Sequence, residues 1–219
     1  LSLTIGLLVF LGFDALAESF ELAGTLPEAF NGIGILLIGF LLAVLTLSAV
    51  SYKTQSRIKE KGENYQALML GYMIALGIGL HNLGEGLAIG SAYAVGEIAL
   101  GSLLVIGFMV HNVTEGVAIV VPLTKTFRKI NNFLLHLIFM GIIAGAPTII
   151  WTLIGGFAFS PVLGVFFLAI GAGAIFDVSF DILEQMAKGQ WLSIFTVTNV
   201  LGFLAGLLVM YLTGFLVVG

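Results

Sequence analysis

The chain has 219 residues, 59% hydrophobic and 9% charged, with a mean hydropathy of +1.16 and a net charge of −4. This excludes an ordinary soluble domain and predicts an all-α, polytopic membrane protein. The absence of cysteine removes thiolate metal sites and disulfides, and nothing in the charge pattern suggests a nucleic-acid partner.

Apolar runs long enough to span a bilayer, about 20 residues, fall at Leu1–Ala23, Gly32–Ser51, Gln66–Ala94, Ile98–Leu123, Asn132–Phe157, Val162–Ala187 and Leu192–Val218, which predicts seven helices. Leu1 opens the first run without a basic start or a cleavage site. A signal peptide is therefore not visible, and the expectation is that sequence precedes Leu1. The connections are short apart from Tyr52–Tyr65 and Thr124–Asn131. All eight basic residues fall between the second and third runs (Lys53, Arg57, Lys59, Lys61), between the fourth and fifth (Lys125, Arg128, Lys129), or after the sixth (Lys188). With alternating spans these lie on one side, and the positive-inside rule makes that side cytoplasmic.

The third and fourth runs carry one signature twice: His81-Asn82-Leu83-Gly84-Glu85-Gly86 and His111-Asn112-Val113-Thr114-Glu115-Gly116. Histidine and glutamate four residues apart share one helix face. Imidazole with carboxylate is a ligand set for Zn²⁺, Fe²⁺, Mn²⁺ or Co²⁺, with Cd²⁺ as a mimic, and the lack of Cys argues against Cu⁺. A single copy reads equally as polar glue between helices; two copies at matching depth favour a metal.

Eight of the twelve acidic residues lie inside the runs: Asp14, Glu18, Glu21, Glu85, Glu115, Asp177, Asp181 and Glu184. None of the basic residues does. An unpaired carboxylate there takes a proton or a cation. Phe13-Asp14-x-x-x-Glu18-x-x-Glu21 in the first run is similar to Phe176-Asp177-x-x-x-Asp181-x-x-Glu184 in the sixth. Paired motifs on antiparallel helices suggest an inverted repeat with a site near the midplane. An axis between the third and fourth spans leaves two helices before it and three after, so symmetry asks for one more before Leu1.

These residues resemble the ZIP (Zrt/Irt-like) family of divalent-metal transporters, in a prokaryotic member, across essentially the whole chain. The likeness is specific at His81–Gly86 and His111–Gly116 and weaker at Asp14–Glu21 and Asp177–Glu184. The family has eight helices, and this chain resembles helices two to eight. The resemblance implies that His81, Glu85, His111 and Glu115 form the main metal site. It also implies that Asn82 and Asn112 border a second position that Glu85 and Glu115 can bridge. Asp14, Glu18, Asp177 and Asp181 are then candidate pathway residues. The chain departs from the family pattern at Gly84 and Thr114, where many relatives have proline. It departs again at Ala146, beside Pro147, and at Asn112, where acids are frequent. The last two departures remove charge from the second position, so one tightly held ion is expected.

The expected organisation is one transmembrane transporter domain, residues 1–219, with a cytoplasmic loop at 52–65 and a metal-binding helix pair at 66–123. The implied function is movement of divalent ions, Zn²⁺ first, toward the cytoplasm across a plasma membrane. The partners are the lipid bilayer and the ion, and a homodimer is compatible with the sequence. The alternative is a proton-coupled carrier or cation channel without bound metal, using Asp14, Glu18, Asp177 and Asp181 as relays. An intramembrane metalloprotease needs HExxH, which neither copy matches, so no enzymatic activity is expected. Gly86/Gly90, Gly141/Gly145 and Gly202/Gly206 read as helix-packing pairs. Trp151, Trp191 and Tyr52 read as interface anchors, His136 as an interfacial residue, and Asn199 as an interhelical hydrogen bonder.

Overall fold

The computed structural model describes the chain except Lys125, Phe159, Lys188 and Gly219; at residues 53–60, 214–218, His111, Phe127, Ala158 and Ser193 it describes the backbone alone. Seven α-helices follow in order: α1 (Ser2–Gly24), α2 (Gly32–Glu60), α3 (Glu63–Ala94), α4 (Ile98–Val120), α5 (Phe133–Ala158), α6 (Pro161–Ala187) and α7 (Val197–Val218). The first six are long and apolar enough to cross a membrane, and α7 is apolar through its described residues to Thr213. This is an integral membrane protein, and exposed side chains such as Leu45, Ile106, Met109, Ile149 and Leu153 face lipid.

Two boundaries differ from expectation, each for a local reason. Helix α2 runs on to Glu60, so Lys61 and Gly62 alone separate it from α3. The helix formers Lys53, Gln55, Arg57, Lys59 and Glu60 propagate it beyond the apolar run. The last span begins at Val197 instead of Leu192, because residues Trp191–Ile194 form a 3₁₀ turn. Asn199 sits in that start. Its backbone N–H donates to Thr196 Oγ1 at 3.2 Å, and its Nδ2 donates to the Ile194 carbonyl at 3.0 Å. Thr196 Oγ1 thus caps α7, and the Asn199 side chain ties the helix start back to the preceding 3₁₀ turn; among the described residues no interhelical bond of Asn199 is seen.

Between α3 and α4 the chain turns at Gly96, with φ +83°. The Glu97 N–H reaches back to the Ala92 carbonyl at 2.9 Å, a helix-ending turn that needs the left-handed conformation glycine adopts without strain. So short a connection makes α3 and α4 antiparallel neighbours.

The bundle is held by close backbone approach at small residues. On α3, Gly79 faces the Ile143 carbonyl of α5, Gly86 faces that of Thr148, and Gly90 faces that of Thr152. Pro147 has no N–H for its i−4 partner, Ile143, and Gly79 brings α3 against that carbonyl. Gly202 and Gly206 of α7 face Ser2 and the Leu3 carbonyl of α1. Two of the three expected glycine pairs thus pack helices. The third does not: Gly141 and Gly145 have open space where a side chain would begin.

The most enclosed spans are α6 and α3, with 67% and 56% of their apolar windows buried. They lie against each other, with Gly171 of α6 over the Cα of His81. The repeated Phe-Asp dipeptides of α1 and α6 also meet: Phe13 and Phe176 stack edge to face at 5.1 Å. Trp151 is not at a helix end. Its ring packs 5.0 Å from Phe167 between α5 and α6, whereas Trp191 lies exposed beside α6.

Candidate metal centre

The site is built where α3 meets α4. One helical turn separates His81 from Glu85, which brings both to the face of α3 that α4 covers. Helix α4 returns Glu115 to the same depth. Ligand atoms of His81, Glu85 and Glu115 all lie within 4.8 Å of one another, and each residue is 3% exposed. The side chain of His111 lies outside the described residues.

His81 Nε2 is 3.7 Å from Glu85 Oε1, too far for a hydrogen bond. Two ligands about 2.0–2.2 Å from a tetrahedral Zn²⁺ stand roughly 3.4 Å apart. A gap of this size allows both atoms to ligate one ion.

The amides frame this group. Asn82 Nδ2 donates to the Ala144 carbonyl of α5 at 3.0 Å and, weakly, to Glu115 Oε2 at 3.4 Å. The Asn112 amide, oriented by the acceptors around it, places its Nδ2 3.0 Å from Glu115 Oε2 and 3.3 Å from Glu85 Oε2. Glu85 Oε1 and Asn82 Oδ1 are buried and accept no hydrogen bond among the described residues. A buried carboxylate oxygen without a donor is costly, and a cation beside it removes that cost. The Ala144 carbonyl was not foreseen, and Pro147 does not signal it, since the carbonyl that proline leaves without a helical partner is that of Ile143. Thr114, one residue before Glu115, donates to Met210 Sδ at 3.1 Å and ties α4 to α7.

The four candidate pathway acids fall into two groups. Glu18, on α1, lines a cavity of about 330 Å³ together with Glu21, Gly84, Leu87, Ser91 and Leu168. Gly84 is the residue before Glu85, so this cavity abuts the site-bearing turn of α3. Asp14 is exposed one turn earlier on α1. Asp177 and Asp181 face α2 instead. Ser48 donates to Asp177 Oδ1, and Ser51 donates to Asp181 Oδ2 at 3.0 Å. The legible signal was Ser48-x-x-Ser51 on an apolar helix, spaced to meet acids four apart. Replacing Ser48 with alanine is expected to lower stability by about 1–3 kcal/mol, because Asp177 is buried and loses its donor. Thermal unfolding in detergent measures this, and the metal-dependent part of the stability should not change.

His136 of α5 pairs with Tyr72 of α3, Nδ1 to hydroxyl 2.8 Å. It is a helix-to-helix contact remote in sequence from the His/Glu signatures.

No protein-family model, curated protein or solved structure matches the chain. On its own geometry it is a helical, polytopic membrane protein enclosing a buried His/Glu group that can hold a metal ion.

Proposed function

We propose that the chain is a transporter of divalent transition-metal ions, Zn²⁺ first among them, of the kind its resemblance to the ZIP family implies. The carrying observation is the convergence of His81, Glu85 and Glu115 within 4.8 Å inside a membrane bundle. Two carboxylates and an imidazole match the charge and ligand preference of one such ion. A site shielded from bulk water on membrane-spanning helices suits cargo better than a resident structural metal. The loops rich in Lys and Arg are assigned to the cytoplasm. Metal then enters from the opposite side, past Glu18 and Glu21, and leaves toward the basic side. His111 joins the ligand set, as its place in the second signature implies.

The test is uptake of labelled Zn²⁺, Fe²⁺, Mn²⁺, Co²⁺ and Cd²⁺ into vesicles containing the protein. Saturable accumulation of at least one ion is expected. No accumulation of any ion by correctly folded protein rejects the reading. A response to pH alone, with no stabilisation by metal, selects the proton-coupled alternative.

The transport mode is alternating access, and the cysteine-free chain makes it directly measurable. Ala88→Cys lines the cavity beside Glu18, and Ile74→Cys lies two turns from His81 in the other direction. Labelling of the two is expected to be reciprocal, one rising as the other falls when metal is added. Simultaneous labelling from both sides means a channel.

A further inference from the structure

We propose that the groove between α1, α6 and α7 is a lipid site, holding one acyl chain of a phospholipid of the cytoplasmic leaflet. The groove is a cavity of about 490 Å³. Val9 of α1, Leu183 and Met186 of α6, and Val200 and Phe203 of α7 are among its walls, and the 3₁₀ turn after α6 adds Trp191. Apart from that indole, the polar side chains lining it among the described residues are Ser2 and Asn199, in the first turns of α1 and α7. The groove is therefore polar where those helices enter the membrane and apolar further in. A phospholipid has the same order, with ester and phosphate outside and hydrocarbon inside.

Position, length and charge select this occupant. Trp191, Phe195 and Val200 line the groove and are exposed, so it is continuous with the apolar surface that faces lipid. From Ser2 to Val9, α1 rises about 10 Å, against about 15 Å of hydrocarbon in one leaflet. A further spanning helix would need a groove about 30 Å long; one acyl chain needs only part of a leaflet. The polar mouth lies at the membrane side assigned to the basic residues, and Lys188 stands in sequence between the lining residues Met186 and Trp191. An anionic phosphate is favoured at that boundary. Within a bilayer the gain comes from packing: an empty groove forfeits van der Waals contacts along its walls, and a chain seated in it is restrained by three helices at once. Such a lipid should exchange more slowly than lipid on the open faces of α2 and α5.

Fluorescence of the purified full chain in detergent tests this. Trp151→Phe leaves Trp191 as the only tryptophan, and bromine on a lipid chain quenches an indole that it touches. Phosphatidylglycerol with dibrominated chains is the probe. Quenching of Trp191 is expected to saturate at about one lipid per chain. Val9→Phe and Val200→Phe, made in the same background, fill the groove from α1 and α7. Each is expected to raise the lipid needed for half quenching by roughly tenfold or more, because each methylene kept out loses its wall contacts. If Val9→Phe does not fold, as judged by thermal unfolding, saturation in the parent and the response of Val200→Phe decide. Quenching that rises in simple proportion to lipid, and that neither filling changes, overturns the site and leaves ordinary surface lipid. Absence of quenching at every lipid level means that another occupant, such as a second copy of the chain, covers Trp191, and overturns it as well. Each outcome is independent of the metal site.

Discussion

Replacing Glu85 or Glu115 with alanine is expected to abolish metal uptake and to weaken Zn²⁺ binding by roughly 100-fold or more, about 2.8 kcal/mol. Each glutamate supplies one of three described ligand residues within 4.8 Å, and its loss removes one of the two charges that balance the partly dehydrated ion. The metal-free protein should behave differently. Without an ion, Glu85 Oε1 is a buried acceptor with no donor among the described residues, so its loss should leave metal-free thermal stability unchanged or raise it. In wild type, Zn²⁺ at 100 times Kd should add about 2.7 kcal/mol; in either glutamate variant the same concentration should add about 0.4 kcal/mol or less. Glu85→Gln separates shape from charge. It fits the same space but carries no charge to balance the ion, so it should lose binding nearly as fully as alanine. Uptake and affinity unchanged in both alanine variants would remove the site.

The spans were legible because burial in hydrocarbon demands long apolar runs whatever the tertiary contacts. The helix pair was legible for a related reason: His81 with Glu85 on one face, and Glu115 on an adjacent antiparallel helix, leave few arrangements that hide all three from lipid. Composition cannot say where a helix goes on once it leaves the membrane, and so α2 ran past its apolar limit to Glu60. Nor can a residue type say whether its partner is near or far in sequence. The expected interhelical bond of Asn199 is instead a local one, its Nδ2 donating to the Ile194 carbonyl, because the 3₁₀ turn before it leaves carbonyls without helical partners. Gly141 and Gly145 have the spacing of a packing pair, but spacing does not identify which face of α5 meets a neighbour.

The acids show how a shared motif can separate in space. Asp14-x-x-x-Glu18 and Asp177-x-x-x-Asp181 look equivalent in sequence. In the fold, Glu18 borders the cavity beside Gly84, whereas Asp177 and Asp181 take hydroxyl donors from α2. The difference comes from the neighbours: serines stand opposite one pair, a cavity opposite the other. The two sets of acids therefore have different surroundings, and the contact with α2 leaves Asp177 Oδ2 buried without a hydrogen-bond partner among the described residues.

The largest structural effect is expected at Gly90. A Cβ there meets the Thr152 carbonyl, the Gly156 nitrogen at 2.7 Å and the Gly155 carbonyl carbon at 2.9 Å. All three are backbone atoms of α5, so no rotamer change relieves the contact. Gly90→Leu has to push the two helices apart, and overpacking of this kind costs about 1–3 kcal/mol or more. For a chain of this size that corresponds to a Tm lower by roughly 2–12 °C. Separation would also draw Asn82 away from the Ala144 carbonyl, which it meets at 3.0 Å, and so disturb the amide frame around Glu115. Zn²⁺ affinity should therefore fall along with Tm, although Gly90 is no ligand. The control is Gly141→Leu, on the open face of α5. Leucine replaces an exposed glycine there and should leave both quantities unchanged or raise Tm. Equal losses in the two variants would mean that α3 and α5 are not held by close approach at Gly90, and that the frame around the metal has another origin.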